Sequence, residues 1–208
     1  MILRVEQLSK DLLSASFQIM YGDTKVGEMS FQAQMVAFTG QTWNGYVFNR
    51  AVSMNSVYCL KEKTFRPFTI NIDGAPCGQV YQTRYKESGM FKPWVYYHHV
   101  DINGLTADIF SVGCGETVNS SVYMNGEQKA HVERSLTVYN DLHAFDVYAL
   151  DDNSAFLTVL LCLYTYSLAL FKPGEKPIKS VHKGYHVTTE KAELAKYDPE
   201  FKKRHFGL

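Results

Sequence analysis

His98, His99 and Asp101 form the part of the sequence that most resembles a catalytic or metal-binding cluster. Imidazole nitrogens and a carboxylate can move protons or bind zinc, provided that they converge on one point. Side chains along a β-strand alternate between its faces, which separates His98 from His99 and Asp101. A zinc site would therefore need His131 or His143 to arrive from elsewhere in the fold. We expect His98 to lie partly buried among aromatic side chains, and a small-ligand carrier or an enzyme with a site near His98 and His143 is an alternative.

The cysteines give no sign of a catalytic or metal site. Cys114 lies between Gly113 and Gly115, where no neighbouring base or helix N-terminus would activate its thiol. The chain also lacks the C-x-x-C, G-x-S-x-G, H-E-x-x-H, Walker-type and dinucleotide-binding patterns. The sequence therefore predicts a protein that is not an enzyme and uses no metal or cofactor. Free thiols are expected at Cys59, Cys77, Cys114 and Cys162.

Free thiols are typical of reducing compartments. Lys10 and Asp11 interrupt the apolar N-terminal stretch, so no secretory signal is expected. These two features favour a cytoplasmic location.

Lys61, Lys63 and Arg66 form one candidate site for an anionic ligand. Residues two apart on a strand share a face, and basic side chains bind phosphate groups. The ligand predicted for such a site is an anionic phospholipid or phosphoinositide at a membrane surface. The alternative is a solvated edge strand whose lysines prevent aggregation.

A second basic candidate lies near the end of the chain, at Lys202, Lys203 and Arg204, followed by His205. Residues 172–208 carry nine Lys or Arg against five Asp or Glu, although the whole chain has a formal net charge of zero. The zero net charge argues against nucleic acid as a partner. The basic extension could contact anionic lipid or a protein partner, or it could simply be solvated.

Four turns organise the chain. Residues 70–74, 100–104 and 122–126 each read apolar, any residue, apolar, Asx, Gly, and residues 19–23 vary this with Gly before Asp. Asx-Gly suits a two-residue type I′ turn because both central positions need positive φ. Each of these segments is therefore predicted to be the tip of a β-hairpin.

The flanking segments alternate with the period of two that strands require. Leu13, Ala15, Phe17, Ile19 and Tyr21 form one face, and Trp94, Tyr96, His98, Val100 and Ile102 form another. About ten to twelve strands precede residue 151, and a sheet of that size avoids exposed edges by closing. We predict a mainly β, closed antiparallel barrel, with a two-sheet sandwich as the second choice.

Residues 154–171 carry no charge and are apolar on every side. Such a helix must be buried in a core or span a membrane. We expect burial, because Thr158, Thr165 and Ser167 dilute the stretch and because a wide barrel needs a filler. An integral membrane protein that uses residues 154–171 as its span is the alternative. Asp152, Asn153 or Ser154 is expected to cap the helix.

A run of hairpins with Asx-Gly tips, then a strand at residues 144–150 and a uniformly apolar helix, resembles the tubby C-terminal-like superfamily. That group includes the tubby proteins, the LURP-one-related proteins and the phospholipid scramblases. The resemblance covers roughly residues 10–171 and implies a barrel of twelve strands around a central helix, so that residues 1–171 form one domain. Residues 172–208 depart from the tubby pattern, whose helix ends the chain, and are expected to form a basic, helical or irregular extension. It also implies a non-enzymatic binding or regulatory module for phosphoinositides, and the tubby Lys-x-Arg pair has its nearest counterpart here in Lys61 and Lys63.

Overall fold

The computed structural model describes residues 1–11, 13–33, 40–57, 65–86, 94–114, 117–135, 142–168 and 194–208. Its strands are β1 (Ile2–Lys10), β2 (Ser14–Tyr21), β3 (Thr24–Gln32), β4 (Thr42–Val47), β5 (Arg50–Ser56), β6 (Phe65–Ile72), β7 (Ala75–Lys86), β8 (Trp94–Ile102), β9 (Leu105–Cys114), β10 (Thr117–Met124), β11 (Glu127–Ser135) and β12 (Ala144–Ala149). Two helices follow, α1 (Asp152–Leu168) and the short α2 (Phe201–Phe206).

The twelve strands form a closed antiparallel barrel. Each strand pairs with its neighbours in sequence, and β1 pairs with β12 to close the ring, with Ile2 opposite Tyr148 and Val5 opposite Phe145. The predicted barrel is confirmed, and the two-sheet sandwich was wrong. Closure leaves no unpaired strand edge, which removes the template that open sheets offer for aggregation.

The hairpin tips follow the predicted turn chemistry. Asp73-Gly74, Asn103-Gly104 and Asn125-Gly126 all have positive φ at both positions, as a type I′ turn requires. At the earlier tip, Gly22 has a φ of 56°. A further tip, Phe48-Asn49 between β4 and β5, has the same left-handed backbone without a glycine, with φ values of 51° and 63°.

Alternation along the strands places the core inside the barrel. On β2, Ala15, Phe17 and Ile19 are buried, whereas Tyr21 at the strand end is 51% exposed. The inner residues of all strands join one apolar cluster with the residues of α1. The helix therefore serves as the common packing partner of the whole barrel wall.

Helix α1 begins slightly before its predicted start. Asp151 accepts a hydrogen bond from the Ser154 backbone N–H at 2.7 Å, and Ser154 Oγ accepts one from the Asp151 N–H at 3.1 Å. This reciprocal capping box makes Asp151 the N-cap, so the prediction of Asp152, Asn153 or Ser154 was wrong. The helix is described as far as Leu168, and residues 169–171 lie outside the described residues.

The barrel encloses α1. Every residue from Leu157 to Tyr164 is at most 1% exposed. Aromatic contacts reach the helix from separate parts of the wall: the Tyr166 ring lies 4.8 Å from that of Phe17 on β2, and the Tyr164 ring lies 5.6 Å from that of Phe68 on β6. Among the described residues, no helix combines the length and the apolar character that a bilayer crossing needs.

The two ends of the barrel differ. The five tight hairpin tips lie at one end, where β12 also leads into α1. Because the strands alternate in direction, the opposite end holds the last turn of α1 and strand ends such as Lys86 and Trp94. We call this opposite end the mouth.

The described part of the C-terminal extension, residues 194–208, lies on the outside of the barrel. Phe201 of α2 is 1% exposed, and Phe206 lies 5.7 Å from Tyr148 on β12. The left-handed Gly207, with φ of 71°, ends α2 by donating its backbone N–H to the Lys203 carbonyl.

Candidate ligand site at the barrel mouth

The helix determines where a ligand could bind. Since α1 occupies the lumen along its length, ligand-binding side chains must lie at a barrel end or on the outer wall. The tip end presents tight two-residue turns, whereas the mouth presents larger side chains from the inner strand faces.

Arg84, Trp94 and Tyr96 form a compact group at the mouth. On β8, Trp94 and Tyr96 share a face with His98 and Val100, which point inward, and Arg84 pairs directly with Tyr96 across β7 and β8. The Arg84 guanidinium lies over the Trp94 ring, 4.3 Å from its centroid, and donates to the Tyr96 hydroxyl at 3.2 Å. Trp94 is 41% exposed and Tyr96 is 46% exposed. The group thus holds a half-buried guanidinium in a fixed orientation beside two exposed aromatic rings.

A second inward arginine lies on β11. Arg134 donates to His143 Nδ1 at 2.9 Å, and its guanidinium lies 4.9 Å from the Phe145 ring centroid. Gln7 links this pair to the helix, because its side-chain amide donates to the Tyr166 hydroxyl and its carbonyl accepts from the His143 backbone N–H. Since α1 has no basic residue in its last turn, Arg134 supplies positive charge near the negative end of the helix dipole.

His143 is neutral in this setting. Desolvation lowers its pKa to about 2, and the positive charges of Arg134 and Lys10 act in the same direction. The imidazole therefore accepts a hydrogen bond from Arg134 and leaves the arginine as the charged member of the pair.

The histidine and aspartate cluster does not converge. His98 points inward, where its Nδ1 lies 3.2 Å from Thr165 Oγ1, and desolvation lowers its pKa to about 4. His99 lies on the outer face with its Nδ1 2.7 Å from Asp108, while Asp101 accepts from the Gly104 backbone N–H. The predicted separation of His98 from its neighbours is confirmed, as is its position beside an aromatic ring, Tyr164 at 5.2 Å.

The described residues contain no group of three or more His, Cys, Asp or Glu side chains arranged to hold a metal ion. Cys77 and Cys162 are free thiols, as predicted, and burial raises the pKa of both. Cys59 and the side chain of Cys114 lie outside the described part of the structure.

Of the first basic candidate, only Arg66 is described; Lys61 and Lys63 lie outside the described residues. Arg66 is exposed near the mouth, has a φ of 48°, and its carbonyl accepts from the Tyr164 hydroxyl at 3.0 Å. Lys61 and Lys63 lie in the chain between β5 and β6. The last residue of β5, Ser56, and the first residue of β6, Phe65, both lie at the mouth.

The second basic candidate is paired with carboxylates. Lys202 lies 2.7 Å from Glu133 on β11, Lys203 lies 3.8 Å from Glu200, and Arg204 forms an ion pair with Asp198. These pairs divide the three charges among three acids, and the structure does not bring them into one cluster.

Sequence reasoning did not identify Arg84, Trp94 and Tyr96 as a site. Trp94 and Tyr96 were recognised as part of a strand face, and the buried Val100 and Ile102 confirm that face further along. The sequence feature that could have identified them is that they lie at the strand ends between β7 and β8, where the inner face of the barrel reaches the mouth.

Comparison of this chain with protein-family models, with curated proteins and with solved structures finds no match.

Proposed function

We propose that this protein is a non-enzymatic binding module whose mouth recognises an anionic, phosphate-bearing headgroup at a membrane surface. The observation that carries the proposal is the half-buried Arg84, held over the exposed Trp94 and bonded to the exposed Tyr96. Guanidinium groups match the geometry of phosphate oxygens, and Trp and Tyr rings suit the interface between water and lipid.

The filled lumen supports a ligand at the mouth. Among the described residues, α1 is buried on all sides in the space where a ligand-carrying barrel would enclose its ligand. His98 and His143 are both held neutral at ordinary pH by the depressed pKa values described above. Neither histidine then offers a proton for acid catalysis near neutral pH.

The resemblance to tubby-like barrels also supports a membrane ligand. Lys61 and Lys63 lie outside the described residues, and we propose that they contribute positive charge to the same ligand site as Arg66. A phosphoinositide, with several phosphates, would use more of these groups than a singly charged phospholipid.

Vesicle flotation tests the proposal. We expect the protein to float with vesicles that contain phosphoinositide and to remain unbound with phosphatidylcholine alone. Loss of one charge-assisted contact in Arg84→Gln should weaken binding about ten- to hundredfold. Arg4→Gln is the matched control, because Arg4 lies on the outer wall near the tip end, paired with Glu6 and Asp146.

The double variant Lys61→Glu and Lys63→Glu tests the contribution of the neighbouring connection and should weaken binding further. If the wild-type protein floats neither with phosphoinositide vesicles nor with vesicles of a singly charged anionic phospholipid, the membrane ligand is ruled out. If Arg84→Gln and Arg4→Gln floated equally well, the mouth would not be the lipid-binding site.

A further inference from the structure

The outer wall of β10, β11 and β12 carries a groove that residues 194–208 cover. We call it the tail groove; its outward side chains are Asn119, Ser121, Tyr123, His131, Glu133 and Tyr148. Ser121 and His131 are direct partners across β10 and β11. Although they point away from the barrel core, Asn119, Ser121 and His131 are only 4%, 1% and 2% exposed. A polar surface of the barrel is thus covered by the C-terminal segment.

The segment is held by aromatic and basic anchors. The rings of Tyr197 and Phe201 lie 6.0 Å and 6.3 Å from the His131 ring. Lys202 Nζ reaches Glu133 at 2.7 Å and lies 5.0 Å from the Tyr148 ring centroid. Along α2 the anchors therefore follow one pattern: an aromatic residue (Phe201), a lysine (Lys202), three further residues, and a second aromatic residue (Phe206).

A second set of contacts lies where the segment enters the groove. Tyr123 donates its hydroxyl to the Lys196 carbonyl at 3.0 Å, and Lys196 Nζ lies 5.4 Å from the Phe110 ring centroid. Recognition thus combines three cation–ring contacts, because Lys196 also lies 5.0 Å from the Tyr123 ring centroid, with one ion pair and one buried aromatic side chain. A short helix bound in a groove is likewise held by a few anchoring side chains.

The fit leaves two hydrogen-bonding atoms unused. Within the described part of the chain, His131 Nδ1 and Ser121 Oγ are buried without a hydrogen-bond partner. His131 Nε2 lies 3.2 Å from Asn119 Oδ1, which fixes Nδ1 as the atom that needs a donor. Buried polar atoms without partners weaken an interface, so the segment covers the groove with less than its full attainable affinity.

We infer that the tail groove is a protein-docking surface for a short helix of the pattern aromatic, Lys, three residues, aromatic, and that residues 194–208 occupy it as an intramolecular ligand. The negative charge of Glu133 and the ring of Tyr148 select the lysine. The surface around the His131 ring, against which Phe201 packs, selects the first aromatic residue. A partner helix that also brings a donor for His131 Nδ1 displaces the segment. Because residues 194–208 belong to the same chain as the barrel, their effective concentration at the tail groove is high, which lowers the apparent affinity of any competitor.

The test uses a fluorescent peptide of residues 194–208 as the probe helix, titrated with full-length protein and followed by anisotropy. Wild-type protein should bind the peptide weakly, because its own segment competes. Phe201→Ala in the protein removes the buried anchor of that segment and should tighten peptide binding at least tenfold. Adding Glu133→Lys to Phe201→Ala should reverse the gain, whereas adding Glu28→Lys on β3, an acid remote from the groove, should not.

Absence of peptide binding to a Phe201→Ala protein that still melts cooperatively would overturn the inference, as would equal effects of Glu133→Lys and Glu28→Lys. If Phe201→Ala does not fold, Lys202→Ala replaces it, because this change removes only a partly exposed ion pair of the segment. Lys202→Ala should then bind the peptide more tightly than the wild-type protein, and Glu133→Lys but not Glu28→Lys should reverse that gain. A wild-type dimer that Glu133→Lys dissociates would assign the groove to a second copy of this chain and so contradict a heterologous partner.

Discussion

Gly45 on β4 lies where the neighbouring backbone of β3 leaves no space for a side chain. A Cβ atom at this position would stand 2.0 Å from the Glu28 carbonyl oxygen, and at Gly78 a Cβ would stand 1.9 Å from the Asp101 carbonyl oxygen. Backbone oxygens cannot rotate away as a side chain can. Both positions therefore require glycine because of space, not because of turn geometry.

We expect Gly45→Ala to destabilise the barrel by about 3 kcal/mol or more, since relief of the clash requires β3 and β4 to separate. Urea denaturation monitored by circular dichroism measures the change. Gly22→Ala is the control: its Cβ meets nothing within 4 Å, and the left-handed φ of 56° should cost only about 1–2 kcal/mol. A Gly45→Ala loss no larger than that of Gly22→Ala would contradict the packing argument.

Polar residues on α1 find partners on the barrel wall. Trp43 donates its indole N–H to Ser167 Oγ at 2.7 Å, and Thr165 Oγ1 lies 3.2 Å from His98. Tyr164 bonds to the Arg66 carbonyl. The hydroxyl groups of Thr165 and Ser167 thus match positions of the wall and help to fix the rotation of the helix, whereas Thr158 Oγ1 is buried without a hydrogen-bond partner among the described residues.

At the scale of elements, the docking of α2 should depend on pH. Contact with the segment desolvates His131 and lowers its pKa to about 4; Glu133 and Asp198 oppose this shift, and Lys202 reinforces it. A histidine with a depressed pKa favours docking fully above about 6.5 and progressively less as the pH falls toward 4. The loss over that window is about 3 kcal/mol of docking free energy.

Nuclear magnetic resonance titration of the His131 ring tests this dependence. In the wild-type protein His131 should titrate near pH 4, and in Phe201→Ala its pKa should rise toward 6.5 as the ring becomes hydrated. His98 lies inside the barrel and should titrate alike in both proteins. An unchanged His131 titration in Phe201→Ala would show that α2 does not cause the desolvation.

Local signals made most elements predictable. Asx-Gly pairs specify type I′ tips by their own backbone preferences, and an uninterrupted apolar run specifies a buried helix. The tip at Phe48-Asn49 was not predicted because it has no glycine, and Phe48 gives no turn signal ahead of Asn49. The N-cap was placed at the wrong residue because Asp151, Asp152, Asn153 and Ser154 can all cap, and only the geometry of the strand exit selects Asp151.

The candidate site could not be predicted in the same way. Arg84 meets Trp94 and Tyr96 through strand register, and their exposure depends on where α1 ends in the lumen. The charges of Lys202, Lys203 and Arg204 looked like one basic run, yet each pairs with a different acid. Lys203 and Arg204 pair with the nearby Glu200 and Asp198, whereas Lys202 pairs with Glu133, which is distant in sequence. Contacts of this kind follow from the closed barrel and have no local pattern.

At the scale of the whole molecule, access to Cys162 reports the integrity of the barrel. Its thiol is 1% exposed, and burial raises its pKa to about 12. In a variant with serine at the other three cysteines, labelling by a thiol reagent should be at least about a thousandfold slower than in urea, because reaction requires unfolding.

A variant that retains only Cys77 is the control, since that thiol is partly exposed on β7 and should react without unfolding. Labelling of Cys162 at a rate similar to that of Cys77, in protein with a native circular dichroism spectrum, would mean that α1 leaves the barrel without global unfolding.

The pairing of β1 with β12 has a consequence for synthesis. The first strand lacks one of its two neighbours until residues 144–149 have left the ribosome, roughly 7–30 s after β1 at ordinary elongation rates. During that interval the nascent sheet has an open edge and an uncovered apolar face, and the helix that will fill it has yet to be made. Chaperone capture of the growing chain should therefore be strongest immediately before α1 emerges.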